Sequence, residues 1–173
     1  MRNATLLVLS TTAILGACAT PSAPKLHAAA TLEARSGSTV TGRADLEESA
    51  GAVSAHIVLA GLTPGSEHGF HVHEKGDCSA ADGSSAGGHF NPTGQPHGGS
   101  ADAAHHAGDL PSLTADAAGK VNVTLPLAGV TLAAGPNSIV GRALVVHRDK
   151  DDRTTQPSGN SGPRVACGVV TSP

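Results

Sequence analysis

Gly69-Phe70-His71-Val72-His73-Glu74 opens the stretch that decides this fold, which continues to residue 109. Three further motifs follow within it: Gly88-His89-Phe90-Asn91-Pro92, His97-Gly98-Gly99 and His106-Ala107-Gly108-Asp109. Together these motifs contain five histidines and end on an aspartate, which is far more imidazole than a hydrophobic core needs. We interpret the stretch as a two-metal site and the rest of the chain as the framework that holds it.

The first histidine pair predicts one half of that site. Side chains at positions i and i+2 of a strand lie on the same face, so His71 and His73 would project together. His147 follows the apolar run Leu144-Val145-Val146 and could supply a third nitrogen, while His89 in the loop could supply a fourth. A nitrogen-only, tetragonal set of ligands suits Cu²⁺.

The second group predicts a different metal. His97, His106 and Asp109, joined by a nitrogen from His89, form a set of imidazoles and one carboxylate that suits tetrahedral Zn²⁺. We choose His106 over its neighbour His105 as the ligand and expect His105 to face solvent. The remaining histidines fit neither group, and we expect them to be surface residues; they are His27, His56 and His68.

Length and composition indicate one domain with an aliphatic core and many turns. The chain has 173 residues, no Trp or Tyr and only two Phe, so aliphatic side chains must fill its core. The 22 glycines and 11 prolines predict many turns. A net charge of −3 without a basic stripe or aromatic platforms argues against a nucleic-acid partner.

Period-2 hydrophobic patterns predict short strands. The clearest alternation runs through Val53, Ala55, Ile57 and Leu59, and further strands are expected at residues 26–34, 39–46, 68–73, 121–125, 139–146 and 164–171. Residues 47–51 have the composition of a turn. Two polar stretches without periodicity, residues 74–111 and 148–163, are predicted to be long loops. The pattern favours an all-β sandwich or flattened barrel.

The N-terminus has the features of an export signal. Arg2 precedes an apolar run that is too short to span a membrane, and Leu15-Gly16-Ala17-Cys18 resembles the lipobox of bacterial lipoproteins. We therefore predict a signal peptide at residues 1–18 with lipidation of Cys18, a flexible tether at residues 19–25 and the domain at residues 26–173. The alternative is an ordinary signal peptide cut near Ala19 or Ala23. Either way we expect the mature chain in the periplasm or cell envelope, touching a membrane only through the lipid.

Export also bears on the cysteines. With Cys18 spent on lipid or removed, Cys78 and Cys167 remain, and two cysteines in an oxidising compartment pair by default. The alternative is a pair of buried free thiols.

Six motifs taken together resemble the copper/zinc superoxide dismutase family. They are the four quoted above, Leu144-Val145-Val146-His147, and Gly162-Pro163-Arg164-Val165-Ala166-Cys167-Gly168, and they occur in the family's order. The resemblance covers about residues 26–171 and implies an eight-stranded Greek-key sandwich with a long metal-binding loop and a second polar loop.

The resemblance also implies the chemistry, which is dismutation of superoxide to O₂ and H₂O₂ with one copper and one zinc per chain. Copper would be held by His71, His73, His89 and His147, and zinc by His89, His97, His106 and Asp109, with His89 as the bridge. Asp151 matches the family's aspartate that ties a copper ligand to a zinc ligand, and Asp152 is its near rival. Arg164 would attract the anionic substrate, and His89 would carry a proton to the product.

Some features depart from the family pattern or leave other functions open. Residues 148–163 form a shorter loop than in eukaryotic members and carry no charge from 154 to 163, which puts steering by that loop in doubt. The competing functions are a copper-delivery module, a zinc hydrolase and a structural envelope protein. Lys75 and Gly76 break the pattern of metallo-β-lactamases. A homodimer is an expectation of the resemblance alone.

Overall fold

The computed structural model describes residues 24–173. The predicted signal peptide, Cys18 and most of the predicted tether lie outside the described residues. Within residues 24–173, no helix is long and apolar enough to cross a membrane.

The regular secondary structure of the described chain is almost wholly antiparallel strand, which confirms the all-β prediction. The strands are β1 (Leu26–Ala34), β2 (Thr41–Ser49), β3 (Ala52–Ala60), β4 (Glu67–His68), β5 (Phe70–His73), β6 (Leu113–Thr114), β7 (Val121–Leu127), β8 (Ala143–His147) and β9 (Arg164–Val169). One short 3₁₀ helix spans Ser84–Ala86. Only Gly69 separates β4 from β5, and counting these two as one strand gives the eight strands predicted.

Seven strands form one curled sheet in the order β5-β8-β9-β1-β2-β3-β7, and β4 pairs separately with β6. After β3 the chain crosses to β5 at the opposite end of the sheet and later returns to place β7 beside β3. A long connection of this kind, which crosses from one end of a sheet to the other, is a Greek-key connection.

The clearest sequence pattern is confirmed on β3. Val53, Ala55, Ile57 and Leu59 are buried, while His56 and Val58 between them face solvent. The predicted turn at residues 47–51 is wrong at its first half, because β2 continues to Ser49. Ser49 pairs directly with Ala52, so the turn is the two-residue loop Ala50-Gly51. Both residues have positive φ, as expected for a type I′ hairpin turn.

The apolar stretch at residues 139–146 also differs from its prediction. β8 begins at Ala143 rather than at residue 139, because Ile139 and Arg142 close a turn through an N–H···O bond of 3.1 Å. Every residue of β8 is buried, since the strand has covered faces on both sides. Leu144 and Val146 pack in the main core, whereas Ala143 and Val145 pack beside Cys167 under the loop of residues 74–111, called the metal-binding loop below.

A disulfide fastens that loop to the sheet. Cys78 follows β5 and is bonded to Cys167 in β9, with a Cα–Cα distance of 5.8 Å and a sequence separation of 89 residues. Closing a loop of this length stabilises the folded state by about 4–5 kcal/mol in the chain-entropy model. The loop has few ladder bonds of its own, so the disulfide determines where it lies against β8 and β9.

Candidate metal centre

Two groups of buried side chains meet at one end of the curled sheet and share one histidine. The first group is His71, His73, His89 and His147, and the second is His89, His97, His106 and Asp109. Within each group, one ligand atom from every residue lies within 4.8 Å of the others. The structure thus brings together all seven residues that the sequence assigned to metals.

The strands explain how the first group forms. Phe70 and Val72 of β5 point into the main core, so His71 and His73 alternate onto the opposite face. β8 pairs with β5 and carries His147 at its end. The metal-binding loop runs back along the free edge of β5, where the Phe90 N–H donates to the Val72 carbonyl at 2.8 Å and so places the preceding residue, His89.

One glycine permits that close return of the loop. The Gly108 carbonyl accepts from the Val72 N–H at 2.9 Å. A Cβ on Gly108 would overlap the Val72 carbonyl oxygen, so any other residue would push the loop off β5. Asp109 follows directly in the chain. The lack of a side chain at Gly108 therefore allows the Asp109 carboxylate to reach its place beside the histidines.

Hydrogen bonds fix which nitrogen of each ring in the first group is free. His73 Nδ1 donates to the Gly87 carbonyl at 2.9 Å and His147 Nδ1 donates to the Gly162 carbonyl at 3.1 Å, because a carbonyl can only accept. In neutral rings the two Nε2 atoms then carry lone pairs, yet they face each other at 3.3 Å. Two buried lone pairs at this distance repel unless a cation lies between them.

His71 and His89 complete the first group in the same way. His71 Nε2 donates to Asp151 Oδ2 at 2.7 Å, which leaves its Nδ1 buried without a partner. His89 Nε2 is also buried without a partner, while its Nδ1 lies 2.8 Å from Asp109 Oδ1. The rings of His71 and His89 are stacked with centroids 3.9 Å apart. Four unprotonated nitrogens therefore converge, which is the donor set that copper prefers.

Asp109 is the centre of the second group. Its Oδ1 lies 2.8 Å from His89 Nδ1, 3.0 Å from His97 Nδ1 and 3.2 Å from His106 Nδ1. Its Oδ2 accepts from the backbone N–H groups of Gly98 and His106. Burial acts to raise the pKa of Asp109, but the bonds from His89 and from the backbone outweigh it and hold that pKa well below its usual range. Three imidazole nitrogens around one carboxylate oxygen fit a tetrahedral zinc.

Asp151 connects the two groups. Its Oδ2 accepts from His71 at 2.7 Å and its Oδ1 accepts from His97 Nε2 at 3.0 Å. Burial tends to raise the pKa of Asp151, but its bonds with His71, the Arg153 N–H and His97 lower it to about 2. Asp152 is exposed and bonds within its own loop to Thr154 and Thr155, so it touches neither group.

Three rings of the first group, those of His71, His73 and His147, are held neutral. Burial, which penalises the cationic form, lowers the pKa of His71 to about 4, and burial together with the nearby His71 lowers the pKa of His147 to about 3. Burial also lowers the pKa of His73 well below its ordinary value. Metal ligands must be unprotonated, so these rings are ready to bind at neutral pH.

Arg164 lies at the opening of the site. Its guanidinium donates to the Gly83 carbonyl at 2.5 Å and to the Gly87 carbonyl at 2.6 Å, which is the same carbonyl that accepts from His73. An open cavity of about 600 Å³ leads here from solvent to three rings of the first group. Its lining includes His73, His89, His147, Pro157, Ser158 and Arg164.

A model of the family described as copper/zinc superoxide dismutase (SODC) matches residues 40–170. The chain belongs to the copper/zinc superoxide dismutase family. This is a family of oxidoreductases, and the match covers every residue of both groups and the disulfide.

Bacterial relatives agree with that membership. The superoxide dismutase-like protein YojM of Bacillus subtilis is 44% identical over 119 residues, which are 66% of this chain and 61% of that protein. Superoxide dismutase [Cu-Zn] 2 of Aquifex aeolicus is 42% identical over 135 residues, covering 76% and 79% of the two chains. A crystal structure of a double mutant of the B. subtilis SOD-like protein superposes with a TM-score of 0.76 at 41% identity, over 83% of this chain and 97% of that one.

The histidines outside the site need one correction. His105 is half-buried and belongs to neither metal group, and His27 and His56 are exposed as predicted. His68 was predicted to be a surface residue, which is wrong, because only 2% of it is exposed. Its Nδ1 donates to the His147 carbonyl at 3.0 Å and its Nε2 lies 2.7 Å from Ser66 Oγ. A polar ring with both nitrogens partnered is compatible with burial.

The neutral rings predict an acid-labile metal-free protein. Unfolded histidines titrate near pH 6.5, whereas His71 and His147 have folded pKa values of about 4 and about 3. Between about pH 6.5 and 4 the unfolded chain therefore binds more protons than the folded chain. The free energy of unfolding should decrease as the pH is lowered, by up to about 1.4 kcal/mol per pH unit for each such ring. Denaturant titrations of metal-free protein at several pH values measure this slope.

Two substitutions sharpen that measurement. His147→Gln removes one ring that must stay neutral and should flatten the decline, whereas His56→Gln removes an exposed ring and should leave it unchanged. A stability that stays constant from pH 6.5 to 4 in the unsubstituted protein would contradict the prediction.

Proposed function

We propose that this protein is a copper/zinc superoxide dismutase that converts two superoxide anions and two protons to O₂ and H₂O₂. The observation that carries the proposal is the pair of buried ligand groups that share His89, in which unprotonated nitrogens converge without protein partners. Such an arrangement is costly in a folded protein unless cations fill it. Family membership supports the same conclusion.

The donor atoms support the assignment of each metal. We assign copper to the four nitrogens of His71, His73, His89 and His147, and zinc to His89, His97, His106 and Asp109. Copper, when bound, supplies the one-electron couple that oxidises one superoxide and reduces the next. The protein's part is to hold the ligands, to admit the anion and to deliver protons.

His89 is suited to carry a proton. Its Nδ1 faces Asp109 on the zinc side, while its Nε2 faces the first group and the cavity. The ring can therefore gain or lose a proton at Nε2 while its other nitrogen stays fixed. Because His89 is next to the opening, that proton reaches a bound product without a further side chain.

Arg164 is suited to attract the substrate. Its two bonds to the Gly83 and Gly87 carbonyls hold the cation at the cavity, although the whole chain carries a net charge of −3. A positive charge inside a low-dielectric cleft raises the local concentration of a small anion and its association rate. Superoxide would therefore meet Arg164 and the metal together.

One relative's name raises an alternative. YojM is described as superoxide dismutase-like, and one solved structure of the B. subtilis SOD-like protein is a double mutant with two introduced histidines. A metal-binding module without dismutase activity is therefore the competing function. The complete set of seven ligand side chains in this chain favours the enzyme.

Metal reconstitution tests the proposal. Metal-free protein given one equivalent each of Cu²⁺ and Zn²⁺ should bind both and accelerate superoxide decay, whereas protein given Zn²⁺ alone should not. His89→Ala should remove the shared ligand and the proton carrier and lower the rate by at least about 10²-fold. Protein that binds both metals at the two groups without accelerating decay would be the metal-binding module instead.

Arg164→Glu should lower the second-order rate by about tenfold or more at low salt while metal content stays unchanged. The loss should shrink as salt is added, since charges are screened over about 8–10 Å at 0.10–0.15 M ionic strength. Arg43→Glu is the matched control, because it changes the net charge equally on an exposed face of β2 where Arg43 pairs with Asp45. Equal rates for the two variants would remove Arg164 from substrate attraction.

We also propose that the chain is exported and held at a membrane by a lipid on Cys18. The lipobox motif and the Cys78–Cys167 disulfide, which is typical of oxidising compartments, support this location. Cys18→Ser should move the protein from the membrane fraction to the soluble exported fraction. Unsubstituted protein found wholly in the soluble fraction would contradict the anchor. The homodimer stays a prediction.

A further inference from the structure

The second polar loop, residues 148–163, makes an unusual contact with the metal-binding loop through Gln156. The carboxamide of Gln156 pairs with both backbone groups of His97: its Oε1 accepts from the His97 N–H at 2.9 Å, and its Nε2 donates to the His97 carbonyl at 2.9 Å. The Gln156 side chain thus satisfies both backbone groups of His97, as the backbone of a neighbouring strand would in a sheet.

The same loop, residues 148–163, also restrains the ring of His97. His97 Nε2 donates to Asp151 Oδ1, and Gly159 covers that bond so closely that a Cβ on Gly159 would overlap both partners. His97 is therefore fixed at its backbone by Gln156 and at Nε2 by Asp151. Its Nδ1 is the one polar atom left free, and it lies 3.0 Å from Asp109 Oδ1.

Among the described residues, His97 has no backbone partner other than Gln156. It lies between Pro96 and Gly98 in a segment without helix or strand. Without Gln156, the backbone of His97 would be held only indirectly, through the bond of the Gly98 N–H to Asp109 and the bonds of the Gln95 backbone to Asn91. Ordering a free backbone costs conformational entropy, so the side chain that removes this freedom bears directly on metal affinity.

Gln156 also borders the cavity. Pro157 and Ser158 follow it directly and line the opening of the first ligand group. The Gly159 N–H donates to the Thr155 carbonyl at 2.7 Å and closes the turn that contains Gln156. A displacement of His97 would therefore also move the cavity wall, because this one turn connects the two.

We propose that Gln156 is a positioning residue that pre-organises His97 for zinc and that zinc binding in turn fixes the cavity wall at Pro157 and Ser158. This inference rests on the proposed function only in that the second group binds zinc. Coupling of this kind is reciprocal. A change that restrains the cavity wall increases the affinity for zinc, and zinc binding restrains the cavity wall.

Two substitutions of Gln156 separate hydrogen bonding from packing. Gln156→Ala removes the side chain, whereas Gln156→Met keeps its length and neutral charge but removes both hydrogen bonds. Gln95→Ala is the matched control, because Gln95 is exposed, lies two residues before His97 and makes its hydrogen bonds with Asn91 only through its backbone. The full chain is used throughout.

Zinc affinity is measured by competition with a chelator of known affinity. Both Gln156 variants should bind Zn²⁺ about 10–100-fold more weakly than the unsubstituted protein, as is typical when a group supporting a metal ligand is lost. The Gln95 variant should bind normally. A Gln156→Met variant with normal zinc affinity would show that the side chain acts by packing alone and would overturn the proposal.

Hydrogen exchange at the cavity wall provides a readout independent of activity. Zn²⁺ should slow exchange at Ser158 and Gly159 in the unsubstituted and Gln95→Ala proteins and should do so much less in both Gln156 variants. Equal protection in all four proteins would refute the coupling. Failure of the unsubstituted protein to bind zinc at all would instead refute the metal assignment on which the inference rests.

Discussion

The rest of the structure depends on one electrostatic constraint, which is that several buried imidazole lone pairs must point at the same two places. Four of the rings, those of His71, His73, His97 and His147, have their other nitrogen satisfied by a carbonyl or a carboxylate. No rotation of these rings relieves the repulsion without breaking those bonds. The folded chain therefore favours positive charge at these two places, and metal binding and folding are coupled because the same hydrogen bonds serve both.

The framework meets this constraint with rigid parts of different kinds. β5 and β8 provide three ligands by strand alternation and pairing, which needs no special chemistry beyond a well-filled aliphatic core. The remaining ligands lie on a loop that a disulfide ties to β9 and that backbone bonds to Val72 hold against β5. Asp151 and Gln156 then add restraint from the second loop. Irregular backbone is thus ordered here by covalent, ionic and side-chain bonds in place of ladders.

Sequence reasoning was most successful where a local rule applies. The alternation along β3 and the i, i+2 spacing of His71 and His73 follow from strand geometry, and the structure places these side chains accordingly.

Local rules were insufficient where a residue distant in sequence determines burial or pairing. His68 is buried because the His147 carbonyl and Ser66 satisfy it, and β2 runs past its polar residues because the tight turn Ala50-Gly51 allows pairing to its end. The contact of Gln156 with His97 spans 59 residues and leaves no pattern in the chain. Assignment of all seven metal-facing residues drew on the family resemblance as well as on spacing.

The aromatic-poor core has an electronic consequence. Phe70 and Phe90 are the only residues with benzene-type rings, and the chain contains no tyrosine or tryptophan at all. Phenol and indole side chains are the usual intermediate stations when an oxidising equivalent travels through a protein. Apart from these two phenylalanines, the main core consists of Val, Leu, Ile and Ala, which cannot be oxidised under mild conditions. The interior that packs the sheet is thus also an insulator, and a one-electron reaction at the proposed metal centre would be confined to the ligands and the open cavity.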